Sequence, residues 1–452
     1  MKSYDVIIIG GGPSGLVTGL TAKKLYPEKS ILIITEEQKG LVPCGIPYIF
    51  HDLESVEQDE MGLNPFLDAG GEIIYARVKS VDTKKKKVLI SSESVLNYDK
   101  LVFATGSIPA EPKFINGYSL RSVEYIHKSF TKMKQLKENV NNAKKIAVIG
   151  GGFIGVEVAE QIAKDPGKSV YLIVCEEYCL GKVFSDELCK EAAIAINNTN
   201  IQMHTNVLVD KLMRNNGKVS GLLLYTGEVI DVDLVIMAIG YQPNTWLAGN
   251  AGLELTESGA IRVDRYLRSS IKDICAVGDC SETMGFITGA ENGIMLASTA
   301  TAEARVLAYN LFGIKIERHF PGTIGIFSTQ INGLTMAAAG INEKIAARAN
   351  IDYVLGAFTD VDRHPGHFND ASKLAVKLYV SPGDGSILGG EVWGGKSAGE
   401  IINIIGMAIQ KQVNVYELIS YQIGTHPLLT GAPTKYAVIK AAENALHVLK
   451  SA

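Results

Sequence analysis

The chain has 452 residues, 46% of them hydrophobic and 20% charged, with a formal net charge of −4. That length suffices for roughly three domains with sizeable cores, and the near-neutral balance excludes the strongly basic surface of a nucleic-acid or anionic-membrane binder. No run approaches the roughly 18 apolar residues of a membrane span. The six cysteines include no Cys-x-x-Cys pair, which excludes the usual zinc and secreted-disulfide patterns, so no metal is expected.

The N-terminus reads strand, glycine-rich turn, helix, strand, over Tyr4–Ile9, Gly10–Gly15, Leu16–Leu25 and Ser30–Ile34. A strand so early leaves no room for a leader, and a cytoplasmic protein with reduced thiols is expected. Gly10-Gly11-Gly12-Pro13-Ser14-Gly15 is a G-x-G-x-x-G turn in the right setting, directly after a strand and opening a helix. Its first glycine makes the turn, its second lets a pyrophosphate approach the backbone, and its third lets helix pack on strand. Glu36 or Glu37, just after the next strand, is placed to hold a ribose hydroxyl. Cys44 follows in Leu41-Val42-Pro43-Cys44-Gly45-Ile46-Pro47-Tyr48. The basic run Lys84–Lys87 separates strand-like Ile73–Val81 from Val88–Ser91 and reads as a solvated hairpin turn. Leu101–Ala104 then runs into Thr105-Gly106.

The opening pattern recurs about 140 residues on, at Lys145–Ile149, Gly150–Gly155, Val156–Ala163 and Val170–Val174. Gly150, Gly152, Phe153, Ile154 and Gly155 form the second cradle, and Glu176 or Glu177 is its candidate ribose acid. No arginine stands there for a 2′-phosphate, which favours NADH over NADPH. Leu234–Ala238 leads into Ile239-Gly240-Tyr241-Gln242-Pro243-Asn244, and Ile274–Val277 into Gly278-Asp279-Cys280. A helix is expected over Ala290–Tyr309. From about Thr323 strands (Ile324–Thr329, Lys373–Val380) and helices (Ala398–Ile409, Ala432–Leu449) alternate as a separate domain.

With these motifs in this order, the chain resembles the FAD-dependent pyridine nucleotide–disulfide oxidoreductases over essentially its whole length. The resemblance implies an α/β fold of two doubly wound Rossmann-like nucleotide-binding domains plus a C-terminal α+β dimerisation domain. FAD would be bound by 1–112 with 246–322, NAD(P)H by 113–245, and a homodimer formed through 323–452. It further implies that the first loop, with Ala104, Thr105, Gly106, Gly278 and Asp279, holds FAD, Asp279 meeting the ribityl chain. The second loop, with Gly240 nearby, would hold the nicotinamide nucleotide, Phe153 covering the flavin until NADH displaces it.

Two-cysteine members of that family carry a second cysteine five residues after the first, where this chain has Ile49. The resemblance is therefore to the single-cysteine branch, in which Cys44 cycles as a mixed disulfide or as a sulfenic acid. If Cys44 opens a helix, as its family counterparts do, a pKa near about 6 instead of about 8.5 raises the thiolate fraction at pH 7 from roughly 3% to roughly 90%. The other five cysteines read as structural, with Cys280 the candidate exception beside Asp279. Pro13 stands where peroxide- and oxygen-reducing members carry a histidine, and Gly40 where coenzyme A disulfide reductases usually carry a serine. Thr425-His426-Pro427 resembles the His-Pro of two-cysteine reductases, in which the histidine crosses from the partner subunit as the acid–base for the thiol. His364, His367, Lys23, Lys24 and Lys39 read as loop or solvated residues.

The implied function is passage of hydride from NAD(P)H through FAD to Cys44, reducing a small disulfide, persulfide or polysulfide such as coenzyme A disulfide. One alternative is an NADH oxidase reducing oxygen through a Cys44 sulfenic acid. Another, of a different class, is an electron-transfer flavoprotein reducing a protein carrier.

Overall fold

The computed structural model describes residues 2–317 and 322–451. The expected domain division also includes residues 1, 318–321 and 452, which lie outside the described residues. Continuous aliphatic runs form the centre of the first sheet. Lys2–Ile9 is flanked in parallel by Ile31–Thr35 and Val95–Phe103, with Ile7 opposite both Leu32 and Leu101. Val6, Ile7, Ile8 and Ile9 are all buried, as a parallel strand covered on both faces requires. The sheet runs Glu72–Tyr75, Ile31–Thr35, Lys2–Ile9, Val95–Phe103, Lys87–Ile90, Val78–Asp82. A late strand, Ile274–Ala276, joins it in parallel beside the C-terminal end of Val95–Phe103. Helices Pro13–Leu25 and Ala297–Asn310 pack together on one face, where Ala22, Ala304 and Leu307 meet Val6, Ile8 and Val102.

The second sheet is wholly parallel, in the order Val123–Tyr125, Leu234–Met237, Lys145–Ile149, Ser169–Ile173, Ile201–His204. Helix Phe153–Ala163 covers it. The chain crosses between the two nucleotide units twice, and the crossings pair as a ribbon, Ser107–Pro109 antiparallel to Tyr241–Pro243.

The third unit is a five-stranded antiparallel sheet, Ile326–Ile331, Leu334–Gly340, Ile387–Gly394, Lys373–Val380, Val354–Val361. Helices Ala398–Gln410 and Ala437–Ser451 lay apolar stripes on it, through Ile402, Ile405 and Ile409 and through Val438, Ala441 and Ala445. Its Glu391 is fully buried and accepts from the backbone N–H of Ser185 at 2.6 Å and the Tyr379 hydroxyl at 3.2 Å. Ser185 is the N-cap of helix Asp186–Asn197 in the second unit, so a carboxylate from the third domain sits at that helix's positive end. Lys344 pairs with Asp186 at 2.7 Å beside it.

Local expectations are corrected at four places. The helix expected from Ala290 begins only at Ala297, because Gly285 and Asn292 donate to Ala290 and Thr283 carbonyls and hold the preceding segment as a loop. The helix expected from Ala432 begins at Ala437, since Pro433–Lys435 forms a separate 3-10 turn and Tyr436 is extended. Ile73–Val81 divides into Glu72–Tyr75 and part of Val78–Asp82. The basic run does form a hairpin turn, but it is not wholly solvated: Lys86 reaches Asp273 at 2.8 Å.

Candidate active site

The two glycine loops are near-copies in space. A Cβ on Gly10, whose φ is +113°, would lie 2.1 Å from the Ala104 carbonyl oxygen; on Gly150, at φ +126°, it would lie 2.3 Å from that of Ala238. Only glycine fits both that backbone and that approach. A Cβ on Gly15 or Gly155 would fall 2.0 Å from the carbonyl of Gly10 or Gly150, so each helix lies directly on its turn. Gly12 and Gly152 are different, for a Cβ there would meet nothing within 4 Å. Each is the N-cap of its helix and neither helix has a side-chain cap. Two open-sided turns with uncapped helix N-termini are what a dinucleotide pyrophosphate needs, so the chain's own geometry fits FAD and NAD(P)H.

The other sequence signatures gather around the first loop. A Cβ on Gly278 would come within 2.6 Å of Ser14 Oγ, and the backbone N–H of Val277 donates to Phe103. That brings Asp279 beside the turn. Thr105 donates from Oγ1 to the Asn244 carbonyl at 2.6 Å, and Asn244 returns bonds to the carbonyls of Thr105 and Gly106. Gly240, at φ +117° with open space at its Cβ, precedes that contact. Asp279 accepts from Ser107 Oγ at 2.7 Å and is paired with Lys128, whose ammonium lies 4.7 Å from the Tyr241 ring centroid. Sequence reasoning missed Lys128, which lies in an unmarked loop between strand Val123–Tyr125 of the second sheet and helix Phe130–Asn142.

The ribose acids are less tightly placed. Glu36 is exposed, 3.7 Å from Arg77, and Glu37 donates its backbone N–H to Thr35 Oγ1. The side chains that abut the loops are Thr35 and Leu63, at Gly11, and Val174, at Gly151. Glu176 accepts from the Cys175 thiol at 3.1 Å and pairs with Lys182 at 3.5 Å. Burial works against its charge, but the thiol, its own backbone N–H and Lys182 hold the carboxyl below its usual range.

Phe153 opens the second helix, with Ile154 behind it packed on the core. The Phe153 ring stacks on Phe327 of the third domain at 5.5 Å and meets Phe184 edge-on at 5.7 Å. Glu157, one turn on, accepts from Thr329 Oγ1 at 2.7 Å, and burial pushes its carboxyl up to about 7. It too escaped the sequence reading, because its partner is 172 residues away. An open cleft of about 300 Å³ lies between Tyr48 and the third-domain residues Ser328, Thr329, Gln330, Thr335 and Lys396.

Cys44 is exposed. It does not open an α-helix: it sits in a turn ahead of the short 3-10 helix Ile46–Phe50, whose N-cap is Gly45. The expected depression of its pKa is also corrected. Although the residue as a whole is exposed, partial burial of its sulfur, then Glu157, Asp59 and Asp279, push the thiol up, and Lys128 alone of its main neighbours pulls it down. Ile49 is fully buried five residues on.

Among the described residues no hydrogen bond or ion pair joins His426 to Cys44 within the chain. The backbone N–H of His426 donates to Thr430 Oγ1 and its Nδ1 accepts from Leu428. His364 donates from Nδ1 to the Thr430 carbonyl of the same loop, and His367 is exposed. Cys280 is buried, its thiol directed at the Phe103 and Val277 carbonyls. Cys175 is the other exposed cysteine. Lys23 satisfies the carbonyls of Pro27 and Lys29, and Lys39 pairs with Glu60 at 2.7 Å. No helix is long and apolar enough to cross a membrane, and no cluster of metal-binding side chains occurs among the described residues.

Two glycine cradles of this geometry, each on parallel strands, define a flavin- and nicotinamide-dependent oxidoreductase. The chain belongs to the pyridine nucleotide–disulphide oxidoreductases: the family's model matches residues 4–304, and its dimerisation-domain model matches 326–437. It is 29% identical to an NADH oxidase of Methanocaldococcus jannaschii, covering 98% of this chain and 99% of that protein. It is 29% identical to an NAD(P)H coenzyme A polysulfide/persulfide reductase of Pyrococcus horikoshii, covering 86% and 87%. Reduced CoADR-RHD of Bacillus anthracis superposes with a TM-score of 0.91 at 25% identity, covering 100% of this chain and 81% of that one.

Proposed function

We propose that this protein is an NAD(P)H-dependent reductase of a small disulfide, persulfide or polysulfide, coenzyme A disulfide being the leading candidate, with Cys44 as its redox-active residue. The observation that carries the reading is an exposed thiol, Cys44, whose charged neighbours Glu157, Lys128 and Asp279 also stand beside the two cradles, with buried Ile49 where a resolving cysteine would be needed. A lone thiol closes no internal disulfide, so it must exchange with a small sulfur partner or be oxidised singly. The first loop, with Ala104–Gly106, Gly278 and Asp279, would hold FAD, which supplies the hydride-accepting chemistry when bound. The second loop would hold the nicotinamide nucleotide, with Glu176 at the ribose and NADH preferred. The division into a FAD domain (1–112 and 246–322), an NAD(P)H domain (113–245) and an interface domain (323–452) follows the two sheets and the ribbon between them. The protein would act in the cytoplasm as a homodimer, His426 of one protomer serving the thiol of the other. Among the described residues the His426 loop is tethered locally, His426 to Thr430 and Leu428.

Cys44→Ser should abolish NADH-dependent disulfide turnover with FAD still bound; retained turnover would remove Cys44 from the chemistry. A second reading, an NADH oxidase acting through a Cys44 sulfenic acid, is favoured by the nearly full-length likeness to the Methanocaldococcus protein. Intact mass of the isolated enzyme separates the two. A coenzyme A or sulfur adduct on Cys44 supports the first, a single added oxygen the second. An anaerobic comparison of coenzyme A disulfide, polysulfide and peroxide as acceptors, with oxygen tested separately, ranks the substrates.

A further inference from the structure

Among the described residues, three buried side-chain polar atoms have no hydrogen-bond partner, and one is Oδ2 of Asp59. Asp59 is 4% exposed and ends the 3-10 turn Val56–Asp59. Its other oxygen lies so close to Gly45 that a Cβ built there would come within 1.8 Å of it. Gly45 has φ −83°, so glycine is not required there by the backbone; the Asp59 carboxyl occupies the place of a side chain. Cys44 directly precedes it. The same turn is fixed to Asp59 by the Val42 N–H, which donates to the Asp59 carbonyl at 3.0 Å.

A buried carboxylate without a partner destabilises a fold, and such violations of local rules gather at functional sites. The charged residues beside Asp59 in sequence, and the lysines that meet its turn, are engaged elsewhere. Glu57 pairs with Lys134 and Glu60 with Lys39, while Lys137 donates to the Leu53 and Glu54 carbonyls. Burial alone therefore pushes the Asp59 carboxyl up to about 6. On the thiol's side, Glu157 and Asp279 oppose a thiolate and Lys128 favours one, as does protonation of Asp59.

We infer that Asp59 is the charge-compensating partner of Cys44, taking up a proton as Cys44 becomes a thiolate and releasing it as the thiolate enters a disulfide. The inference rests on the reading of Cys44 as the redox cysteine. In the reductive step the S–S bond between Cys44 and a small thiol breaks with two electrons and a proton originating as hydride on NAD(P)H. The small sulfur leaves as a thiol and Cys44 keeps an electron pair as thiolate. One solvent proton passes to the Asp59 carboxylate, so the charge of the pair is unchanged. In the oxidative step the thiolate attacks a new disulfide, and the departing thiolate takes from solvent the proton that Asp59 gives up. The sum is one disulfide, one NAD(P)H and one proton giving two thiols and NAD(P)⁺. Asp59 touches Gly45 rather than the reacting sulfur, and is a positioning residue.

The test is the pH dependence of Cys44 alkylation by iodoacetamide in anaerobic, flavin-loaded enzyme, which needs no turnover. Wild type should bend near about pH 6 and again at the thiol's own titration. Asp59→Asn should lose the lower bend and react faster above it, roughly tenfold for each unit by which the thiol's midpoint falls. Superimposable profiles would overturn the inference while leaving the Cys44→Ser result untouched. Stability supplies a control with a definite sign. A carboxyl raised from 3.8 to about 6 by folding stabilises fully below its unfolded value, and that contribution is lost as pH rises through about 6. The melting temperature of Asp59→Asn should therefore gain on wild type across that range. Should Asp59→Asn not fold, the reduced-minus-oxidised infrared difference of Glu157→Gln must still gain a protonated-carboxyl band; its absence sinks the proposal.

Discussion

The two nucleotide units share a backbone and differ in what lines it. Gly10 and Gly150 approach the Ala104 and Ala238 carbonyls to within 0.2 Å of the same distance, and Gly15 and Gly155 sit identically on their turns. Yet the first helix begins Pro13-Ser14, small and polar, while the second begins Phe153-Ile154. The first loop is backed by Thr35 and the second by Val174. Asp279 and Lys128 converge on the first, whereas Phe327 and Thr329 of the third domain reach the second. The second has an aromatic ring at its mouth, Phe153, stacked on Phe327 of the third domain. The lesson is that glycine spacing encodes the cradle, and the residues around it make the two cradles different.

The largest expected effect comes from the third glycines. A Cβ 2.0 Å from a carbonyl oxygen must lift the helix, and overpacking of that kind costs about 1–3 kcal/mol or more. Gly15→Ala should yield flavin-free protein with a lowered melting temperature. Gly155→Ala should keep its flavin spectrum but lose NADH-driven reduction. The opposite pattern would reverse the assignment of the loops. A smaller effect is expected at the second glycines, where a methyl group meets only open space. Gly12→Ala and Gly152→Ala should change stability by no more than about 0.5 kcal/mol, yet weaken FAD and NADH respectively, read by flavin retention and by KM. The smallest is at the ribose acids. Glu176→Ala should raise the KM for NADH by roughly tenfold, as loss of a hydrogen bond to a charged group implies, and Glu36→Ala should change FAD retention little, its carboxyl being exposed beside Arg77. Equal effects at both would mean that Thr35 and Val174 do not distinguish the sites.

Much of this was legible in the chain itself, because parallel strands buried on both faces are aliphatic runs and each was followed by its glycines. Hence Tyr4–Ile9 and Lys145–Ile149 could be read, whereas the meeting of Ala104 with Gly10 and of Ala238 with Gly150 emerges only in the fold. What escaped depended on partners remote in sequence. Nothing local marks Lys128 as Asp279's counterion or Thr329 as Glu157's donor. The state of Cys44 was misread for a related reason: its turn continues into a 3-10 helix rather than an α-helix, and the carboxylates around it come from three separate segments. The helix from Ala297 was placed too early because alanine content says nothing of the bonds that hold Thr283 and Asn292 in a loop.

Glu391 also bears on how the molecule is made. The helix at Asp186–Asn197 belongs to the middle of the chain, but the carboxylate that holds its first turn lies 206 residues later. A nascent chain emerging from the ribosome has the second sheet complete well before that anchor exists. Until the last strands are synthesised and paired, the start of this helix and the neighbouring Phe184 lack their seat. The second unit thus acquires its finished shape only when synthesis is nearly over.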